Sequence, residues 1–230
     1  MLLNHKYLRM RRTWIDTTSD VSRREGVLMY RPGRKYLQVI PKILAKCAMV
    51  PWPGNTSFSE ILPGFDLDKA LGIDVEYATI YIGNGSVRSK FTLLVHPKGG
   101  GKESLIVKAG NTEGASCAIA QEVEALRRLN GMEGRVPRLV GIGEQDCWCW
   151  SAQTVLPKGH SPNRLQKEHY EFLDELKKVG LSHGDFAPWN CSIVGGKLHV
   201  WDWEDAGVWE EGKDEAWFRG QVKKLLGINA

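Results

Sequence analysis

Two adjacent glycines, Gly195 and Gly196, constrain the fold of this chain more than any other feature of its sequence. They lie between two short β-prone runs, Cys191-Ser-Ile-Val194 and Lys197-Leu-His-Val200. A two-residue hairpin turn requires positive φ at its central positions, and glycine adopts positive φ at little cost. We therefore predict a β-hairpin whose turn is the glycine pair.

The register of this hairpin brings three polar side chains together. Counting outward from the turn, Asn190 pairs with Trp201, so Asp202 lies beside Asn190 at the open end, at a cross-strand distance of roughly 5 Å. Asp185 precedes Asn190 in a loop that a glycine and a proline keep from becoming helical. One amide and two carboxylates suit a hard cation such as Mg²⁺, with one carboxylate left to act as a base.

The motifs around these residues resemble those of a known kinase family. His183-Gly-Asp-Phe-Ala-Pro-Trp-Asn190 and Asp202-Trp-Glu204 are similar to the catalytic loop and the metal-binding motif of the aminoglycoside phosphotransferase-like kinases, which share the protein-kinase fold. The resemblance implies that Asp185 orients the substrate hydroxyl and accepts its proton. It also implies that Asn190 and Asp202 hold Mg²⁺ on the phosphates of ATP. The alternative is an Asp-capped turn before an ordinary hairpin.

Upstream strands fit the nucleotide-binding part of such a kinase. A glycine-bearing turn joins two β-prone runs, and the resemblance implies that Gly83, Gly85 and Ser86 cover the phosphates of ATP. Taken alone, the turn is explained equally well by an ordinary hairpin. Lys108 stands alone among apolar residues on the next predicted strand, where the family has its phosphate-contacting lysine.

The helix predicted over residues 117–129 offers a counter-charge for Lys108. Glu122 lies at the edge of its apolar stripe, whereas Glu124 is about 200° of helical rotation away and should face water. We predict an ion pair between Lys108 and Glu122. The alternative is a flank carboxylate that pairs with Arg128 or with no group.

The segment after the last strand of the predicted sheet resembles the hinge between kinase lobes. In kinases the hinge backbone binds the adenine edge, so the resemblance makes Thr154, Val155 and Leu156 the candidate adenine contacts. No acceptor pocket carries over from the family, because few residues precede the next helix and a short segment follows Glu204. Trp189, beside Asn190, is the candidate substrate contact, together with Asp185 and Glu204.

Four further helices are predicted from apolar spacing and end signals. One begins near Pro41, and a short one is closed by Gly72. A third is capped at Asn163 or a neighbour and ends at Gly180, and the last spans residues 214–226.

These elements predict an α+β, protein-kinase-like fold of two lobes. We expect a basic N-terminal extension of unassigned fold over residues 1–76. A nucleotide-binding lobe, an antiparallel sheet with one helix, follows over residues 77–157. A reduced, mostly helical catalytic lobe that contains the hairpin completes the chain over residues 158–230.

Charge and cysteine content bear on location and partners. Residues 1–50 hold eleven Lys and Arg against three acids, a balance of +8, which leaves −4 for the rest of a chain whose total is +4. Such a basic segment suggests an anionic partner or a membrane surface, with a solvated basic surface as the alternative; no specific nucleic-acid motif accompanies it. Five scattered cysteines, no signal peptide and no apolar run of about 18 residues predict a cytoplasmic protein, or one peripheral to the inner face of a membrane.

Together these features predict an enzyme that moves the γ-phosphoryl group of ATP to a hydroxyl of a small molecule or glycan, with a carbohydrate-like acceptor favoured. Its cofactors are then ATP and Mg²⁺. The first alternative is a degenerate kinase-like scaffold that binds nucleotide, which the short second lobe favours. A protein Ser/Thr kinase is disfavoured, because no activation-loop segment or A-P-E motif follows Asp202.

Overall fold

The computed structural model describes residues 2, 5–10, 12–29, 54–83, 88–99, 103–130, 132 and 134–227. The predicted helix near Pro41 and the turn residues Gly85 and Ser86 lie outside the described residues. The chain divides into two compact units, the first made of Met1–Ser116 with Gly141–Gln153 and the second of Cys117–Val140 with Thr154–Ala230.

The first unit is built on an eight-stranded sheet. Its strands are β1 (Lys6–Met10), β2 (Thr13–Asp16), β3 (Thr56–Ser57), β4 (Val75–Ile82), β5 (Phe91–Pro97), β6 (Leu105–Gly110), β7 (Leu139–Gln145) and β8 (Trp148–Thr154). Their order across the sheet is β3-β1-β2-β4-β5-β6-β8-β7. The pairings from β3 through β6 are all antiparallel. The antiparallel sheet and the α+β class predicted from the sequence are therefore confirmed.

Cross-strand apolar pairs on one face of this sheet build the core of the first unit. In the β4–β5 register Ile80 pairs with Leu93, and both side chains are fully buried. Trp148 on β8 packs against Phe91, with ring centroids 5.6 Å apart. Such aromatic and β-branched pairs stabilise sheets because the pleat brings their side chains into direct contact.

The strands that precede residue 77 belong to this same sheet. β2 pairs with β4 through Trp14 and Ile80, so the predicted boundary between residues 76 and 77 falls inside β4. Helix α1 (Asp20–Met29) lies close against these strands, since a Cβ at Gly26 would stand 2.7 Å from Cγ2 of Ile15. The first part of the chain therefore contributes to the sheet, a relation that sequence patterns did not indicate.

Two short helices complete the first unit. They are α2 (Phe58–Ile61) and α3 (Leu67–Leu71). Asp66 caps the start of α3 by accepting from the N–H of Lys69, and Gly72 ends it with φ of 63°. The predicted helix closed by Gly72 is confirmed.

The second unit combines three helices with two small strand pairs. Its elements are α4 (Glu113–Arg128), which begins in the first unit, α5 (Lys167–Val179), β9 (Leu181–Ser182), a 3₁₀ turn (Pro188–Asn190), β10 (Cys191–Val194), β11 (Lys197–Val200), β12 (Gly207–Val208) and α6 (Lys213–Leu226). β10 pairs with β11 and β9 with β12, both antiparallel. The core between them includes Phe172, Phe186, Trp203 and Phe218, all fully buried.

Helix α5 is held at both ends by local contacts. Its end at Gly180, with φ of 70°, is confirmed, and the Arg128 guanidinium donates to the carbonyl oxygens of Val179 and Gly180. The helix begins at Lys167 rather than beside Asn163. Here the Gln166 N–H donates to Nδ1 of His169 at 3.1 Å, so a side chain inside the helix satisfies the first free amide.

None of the helices in the described part of the chain is long and apolar enough to cross a membrane. The cytoplasmic location and the anionic partner for residues 1–50 stay predictions.

Candidate active site

The glycine hairpin forms in the predicted register. Val194 pairs with Lys197 and Cys191 with Val200, while Gly195 and Gly196 have φ of 57° and 74°. One further backbone bond, from the N–H of Trp201 to the oxygen of Asn190 at 3.0 Å, continues this pairing outward. The segment that carries Asp202 therefore leaves the hairpin beside Asn190, as predicted.

Both oxygens of the Asp185 carboxylate accept hydrogen bonds from side chains. Nδ2 of Asn190 donates to Oδ2 at 2.9 Å and also to the backbone oxygen of Asp185 at 3.0 Å. The indole N–H of Trp217 donates to Oδ1 at 2.7 Å. The amide nitrogen of Asn190 is thus committed to Asp185, and its Oδ1 is the end that can serve as a metal ligand.

The surroundings of Asp185 make it a stronger proton acceptor than an exposed carboxylate. Partial burial raises the pKa of Asp185, and the negative charge of Asp202 raises it as well. The N–H donors of Trp217 and Asn190 oppose this rise, as does the charge of His183 when it is protonated. A raised pKa with fixed donors is typical of a catalytic carboxylate.

The buried side chain of His183 holds the loop in place. Its Nε2 lies 3.0 Å from the backbone oxygen of Trp201, and because a carbonyl only accepts, Nε2 must carry the proton. Burial lowers the pKa of His183, which favours the neutral ring. The imidazole packs on the indole of Trp203 with centroids 4.5 Å apart. His183 thus ties the loop to the strand end before Asp202.

Asp214, at the start of α6, holds the backbone of the loop. Its two oxygens accept from the N–H groups of His183 and Gly184 at 2.7 and 3.0 Å. Gly184 has φ of 84°, and a Cβ there would stand 1.9 Å from the backbone oxygen of Asp205. Only glycine fits this position, because the loop passes directly against the turn that follows Asp202.

The backbone around Asp202 is held in an uncommon conformation. Asp202 has φ of 69°, which few non-glycine residues adopt and which is enriched at functional sites. The next residue, Trp203, donates its N–H to Oε1 of Glu122 at 3.3 Å. Glu122 is fully buried, whereas Glu124 is exposed as predicted. Glu122 therefore anchors the segment that carries Asp202, a role that the sequence did not reveal.

Lys108 is buried on β6, with an exposed fraction of 4 %, opposite Thr92 of β5. It belongs to the first unit and Glu122 to the second. The ion pair between them stays a prediction.

Two predicted nucleotide contacts have backbone N–H groups that already donate within the protein. The N–H of Gly83 donates to the oxygen of Lys90 at 3.1 Å and closes the β4–β5 turn. The N–H of Thr154 donates to the oxygen of Arg138 at 2.9 Å. Of the predicted hinge residues, Val155 and Leu156 follow β8, and Val155 is 43 % exposed.

Two tryptophans near Asp185 are exposed. Trp189, in the 3₁₀ turn, is 37 % exposed, as a substrate contact requires, and Trp217 on α6 is 43 % exposed. Glu204 is half-buried in the turn after Asp202. What sequence reasoning missed is the contact of Trp217 and of Asp214 with the loop that carries Asp185. The one available signal was their place in the first turns of the predicted last helix, which gave no hint of contact with a loop some thirty residues earlier.

The described residues contain no group of three His, Cys, Asp or Glu that could hold a metal ion. Asn190 and Asp202 would supply one amide oxygen and one carboxylate oxygen. This donor set fits Mg²⁺, which usually keeps several waters and is held by one or two carboxylates together with substrate phosphates. A Mg²⁺ ion held by these two residues would complete its coordination with waters and substrate phosphates.

No protein-family model matches the chain, and no curated protein matches it.

Proposed function

We propose that this protein is a phosphotransferase that moves the γ-phosphoryl group of ATP to a hydroxyl of a small molecule or glycan, with a carbohydrate-like acceptor favoured. The observation that carries the proposal is the arrangement at Asp185. Its carboxylate is held by the N–H groups of Asn190 and Trp217, its pKa is raised by partial burial, and it lies at the open end of the hairpin that leads to Asp202.

In the proposed reaction the acceptor oxygen attacks the γ-phosphorus, and the bond from that phosphorus to the β–γ bridging oxygen breaks, so that ADP leaves. The hydroxyl proton passes to Asp185. Positioning supplies most of the rate enhancement, because this transfer needs little covalent help from the protein. Asn190 and Trp217 each hold one oxygen of the carboxylate and so fix its orientation.

Mg²⁺ bound at Asn190 and Asp202 would offset the negative charge of the phosphates. The left-handed backbone of Asp202, held by the bond from Trp203 to Glu122, fixes the direction of that ligand. Lys108 is the residue that we propose for contact with the phosphates, as the resemblance implies. The protein-kinase-like architecture belongs to the same proposal, and the order of sheet, hinge segment, helix, loop and hairpin along the chain supports it.

Replacement of Asp185 by Asn tests the proposal directly. We expect Asp185→Asn to lower turnover by at least about 100-fold, since removal of a general base has effects of that order. Nucleotide should still bind, as measured by a Mg²⁺-dependent thermal shift with ATP. Asp174→Asn makes the same chemical change at an exposed site on α5 and serves as the matched control. Full turnover in Asp185→Asn would contradict the role assigned to it.

The acceptor panel also separates the alternatives. Purified protein, labelled ATP and Mg²⁺ are incubated with sugars, glycosides, cell extracts and a protein substrate. Label on no acceptor, despite a thermal shift with ATP, would favour a nucleotide-binding scaffold. Label on serine or threonine of the protein substrate would favour a protein kinase.

Replacement of Asp202 by Asn tests the metal site without relying on turnover. Asparagine tolerates left-handed φ, so Asp202→Asn removes a charge and leaves the backbone intact. We expect the thermal shift with ATP to lose its dependence on Mg²⁺. An unchanged Mg²⁺ dependence would exclude Asp202 as a ligand.

A further inference from the structure

Trp217 combines two properties that are seldom found together. Its indole N–H donates to Oδ1 of Asp185 at 2.7 Å, so the edge of the ring is fixed. Yet 43 % of the residue is exposed, although tryptophan carries one of the largest apolar surfaces among side chains. A side chain that only filled the core would be buried, as Trp203 is. The exposed ring of Trp217 is therefore open to a ligand beside Asp185.

Contacts on either side of Trp217 hold its ring in place. One helical turn earlier, Asp214 accepts from the N–H groups of His183 and Gly184, and the adjacent Phe218 is fully buried. Helix α6 is thus tied to the loop by the two hydrogen bonds that the Asp214 carboxylate accepts and by the one that Trp217 donates to Asp185. Such anchoring holds the indole in one place relative to the carboxylate, which a substrate platform requires.

The chemistry around the ring indicates what it binds. Nζ of Lys224 lies over the indole, 5.8 Å from the ring centroid, in the geometry of a cation–π contact, which forms because a π-face attracts positive charge. The C–H groups on one face of a pyranose ring are positively polarised as well, and its hydroxyls suit a carboxylate acceptor. A second exposed indole, that of Trp189, belongs to the 3₁₀ turn against which α6 lies.

We propose that Trp217 is both the positioning residue for Asp185 and the platform on which a pyranose ring of the acceptor stacks. This inference rests on the proposed function, because it assigns the acceptor class of that same site. The indole N–H aims the carboxylate, and the indole face places a sugar hydroxyl against it. Trp189, one residue before Asn190, borders the same subsite.

The binding part of the proposal can be tested without turnover. The nine tryptophans give nine indole N–H signals in a ¹⁵N-labelled protein, and the signal lost in Trp217→Phe is that of Trp217. We expect Asp185→Asn to shift this signal upfield, because the hydrogen bond to a charged carboxylate becomes a bond to a neutral amide. Methyl β-glucopyranoside and methyl β-galactopyranoside are then titrated, with open-chain sorbitol as the control polyol.

We expect at least one pyranoside to shift the Trp217 signal in a saturable way, with sorbitol producing no shift. A silent Trp217 signal with both pyranosides, or an equal response to sorbitol, would overturn the platform. Saturable binding with no phosphoryl transfer to any acceptor would instead keep the subsite and remove the proposed function. Transfer to a pyranoside without a change in the Trp217 signal would keep the proposed function and remove the subsite.

Kinetics separate the two roles of Trp217. Trp217→Phe keeps an aromatic face and loses the N–H, so we expect kcat to fall about 10-fold while KM for the pyranoside changes little. Trp217→Ala loses the face too and should raise that KM by about 2- to 10-fold. KM for ATP should stay constant in both variants.

Trp209→Phe is the matched control, because its indole N–H also donates to a carboxylate, that of Glu211 at 3.4 Å, but does not contact Asp185. Unchanged thermal midpoints and the other indole signals would show that the variants fold. Equal losses in Trp209→Phe and Trp217→Phe, or parallel changes of kcat and KM in both Trp217 variants, would contradict the assigned roles.

Discussion

The loop Leu181–Asn190 and the hairpin Cys191–Val200 are neighbours in sequence, but different forces hold them. The hairpin closes through backbone bonds between residues at most nine positions apart, and two glycines set its turn. The loop has few backbone bonds of its own. It depends on Asp214, about thirty residues later, and on the close passage of Gly184 under the turn at Asp205.

This difference separates an element that sets its own register from one that other segments position. A hairpin with correct turn residues specifies its own register. A loop that carries polar candidate groups has no hydrogen-bond ladder of its own. The elements around it must therefore hold it in place. The candidate base Asp185 lies on the loop. The hairpin lies between Asn190 and Trp201. The following predictions test whether substitutions that disturb the loop lower the free energy of unfolding more than substitutions in the hairpin.

The largest effect is expected from alanine at Gly184. Left-handed φ penalises a Cβ, and the added atom would overlap the backbone oxygen of Asp205, so we expect a loss of about 3–5 kcal/mol in the free energy of unfolding. Gly195→Ala is the matched variant in the hairpin, with φ of 57° and no atom within 4 Å of the added Cβ. It should cost about 1 kcal/mol. Urea denaturation measures both, and equal losses would end the distinction.

Removal of the carboxylate at Asp214 comes next. Asp214→Ala leaves two buried N–H groups without their acceptor, and hydrogen bonds to charged groups are the strong ones, so we expect a loss of about 3 kcal/mol. Asp214→Asn retains one acceptor oxygen and should lose less. Glu215→Ala, one residue later on α6, is the control. If Glu215→Ala destabilised the protein as much as Asp214→Ala, the anchoring role would be refuted.

What could be predicted from sequence follows the same division. The hairpin register, the positive φ of its glycines and the end of α5 at Gly180 are local consequences of glycine chemistry, and all three are confirmed. The contacts of Asp214 and Trp217 with the loop are set by the packing of α6. No periodicity or turn signal links residues that far apart, so the sequence indicated Trp189 as a substrate contact but not the bond from Trp217 to Asp185.

The sheet shows the same limit on a larger scale. Strands β4, β5 and β6 follow one another and were predicted from their apolar runs. The pairing of β2 with β4 joins segments more than sixty residues apart and was not predicted. The pairing of β9 with β12, which begin and end the segments that carry Asp185 and Asp202, was missed for the same reason. Sequence reasoning thus named the candidate groups but not the elements that support them.

Acid should weaken the loop through His169. This ring packs edge-on against Phe186 of the loop and Phe218 of α6, and burial lowers its pKa from 6.5 to about 4. The unfolded chain therefore binds more protons than the folded one between these values. The contribution of the neutral His169 ring to the free energy of unfolding is fully present above pH 6.5 and is lost as pH falls towards 4. We expect a loss on the order of 1 kcal/mol at pH 5.5.

His169→Phe removes this titration and keeps an aromatic ring in the same contacts. Urea denaturation at pH 7.5 and pH 5.5 should therefore show a smaller acid loss in the variant than in the wild type. His199 on β11 also has a pKa lowered by burial, and it remains in both proteins. An acid loss of the same size in His169→Phe would transfer the pH sensitivity from the loop to other groups.

The smallest effect should come from a side-chain anchor of the hairpin. The hydroxyl of Ser192 donates to the backbone oxygen of Pro157 at 3.1 Å, and Ser192→Ala removes this single neutral hydrogen bond. We expect a loss of about 1 kcal/mol, because such a bond contributes about that much and the backbone ladder of the hairpin stays intact. The hairpin should keep its register, which amide exchange of Val194, the residue paired with Lys197 at the turn, would report. If Ser192→Ala matched Asp214→Ala in the free energy of unfolding, the hairpin would depend on remote anchors as the loop does. The register of Asn190 and Asp202 would then no longer follow from the glycine turn alone.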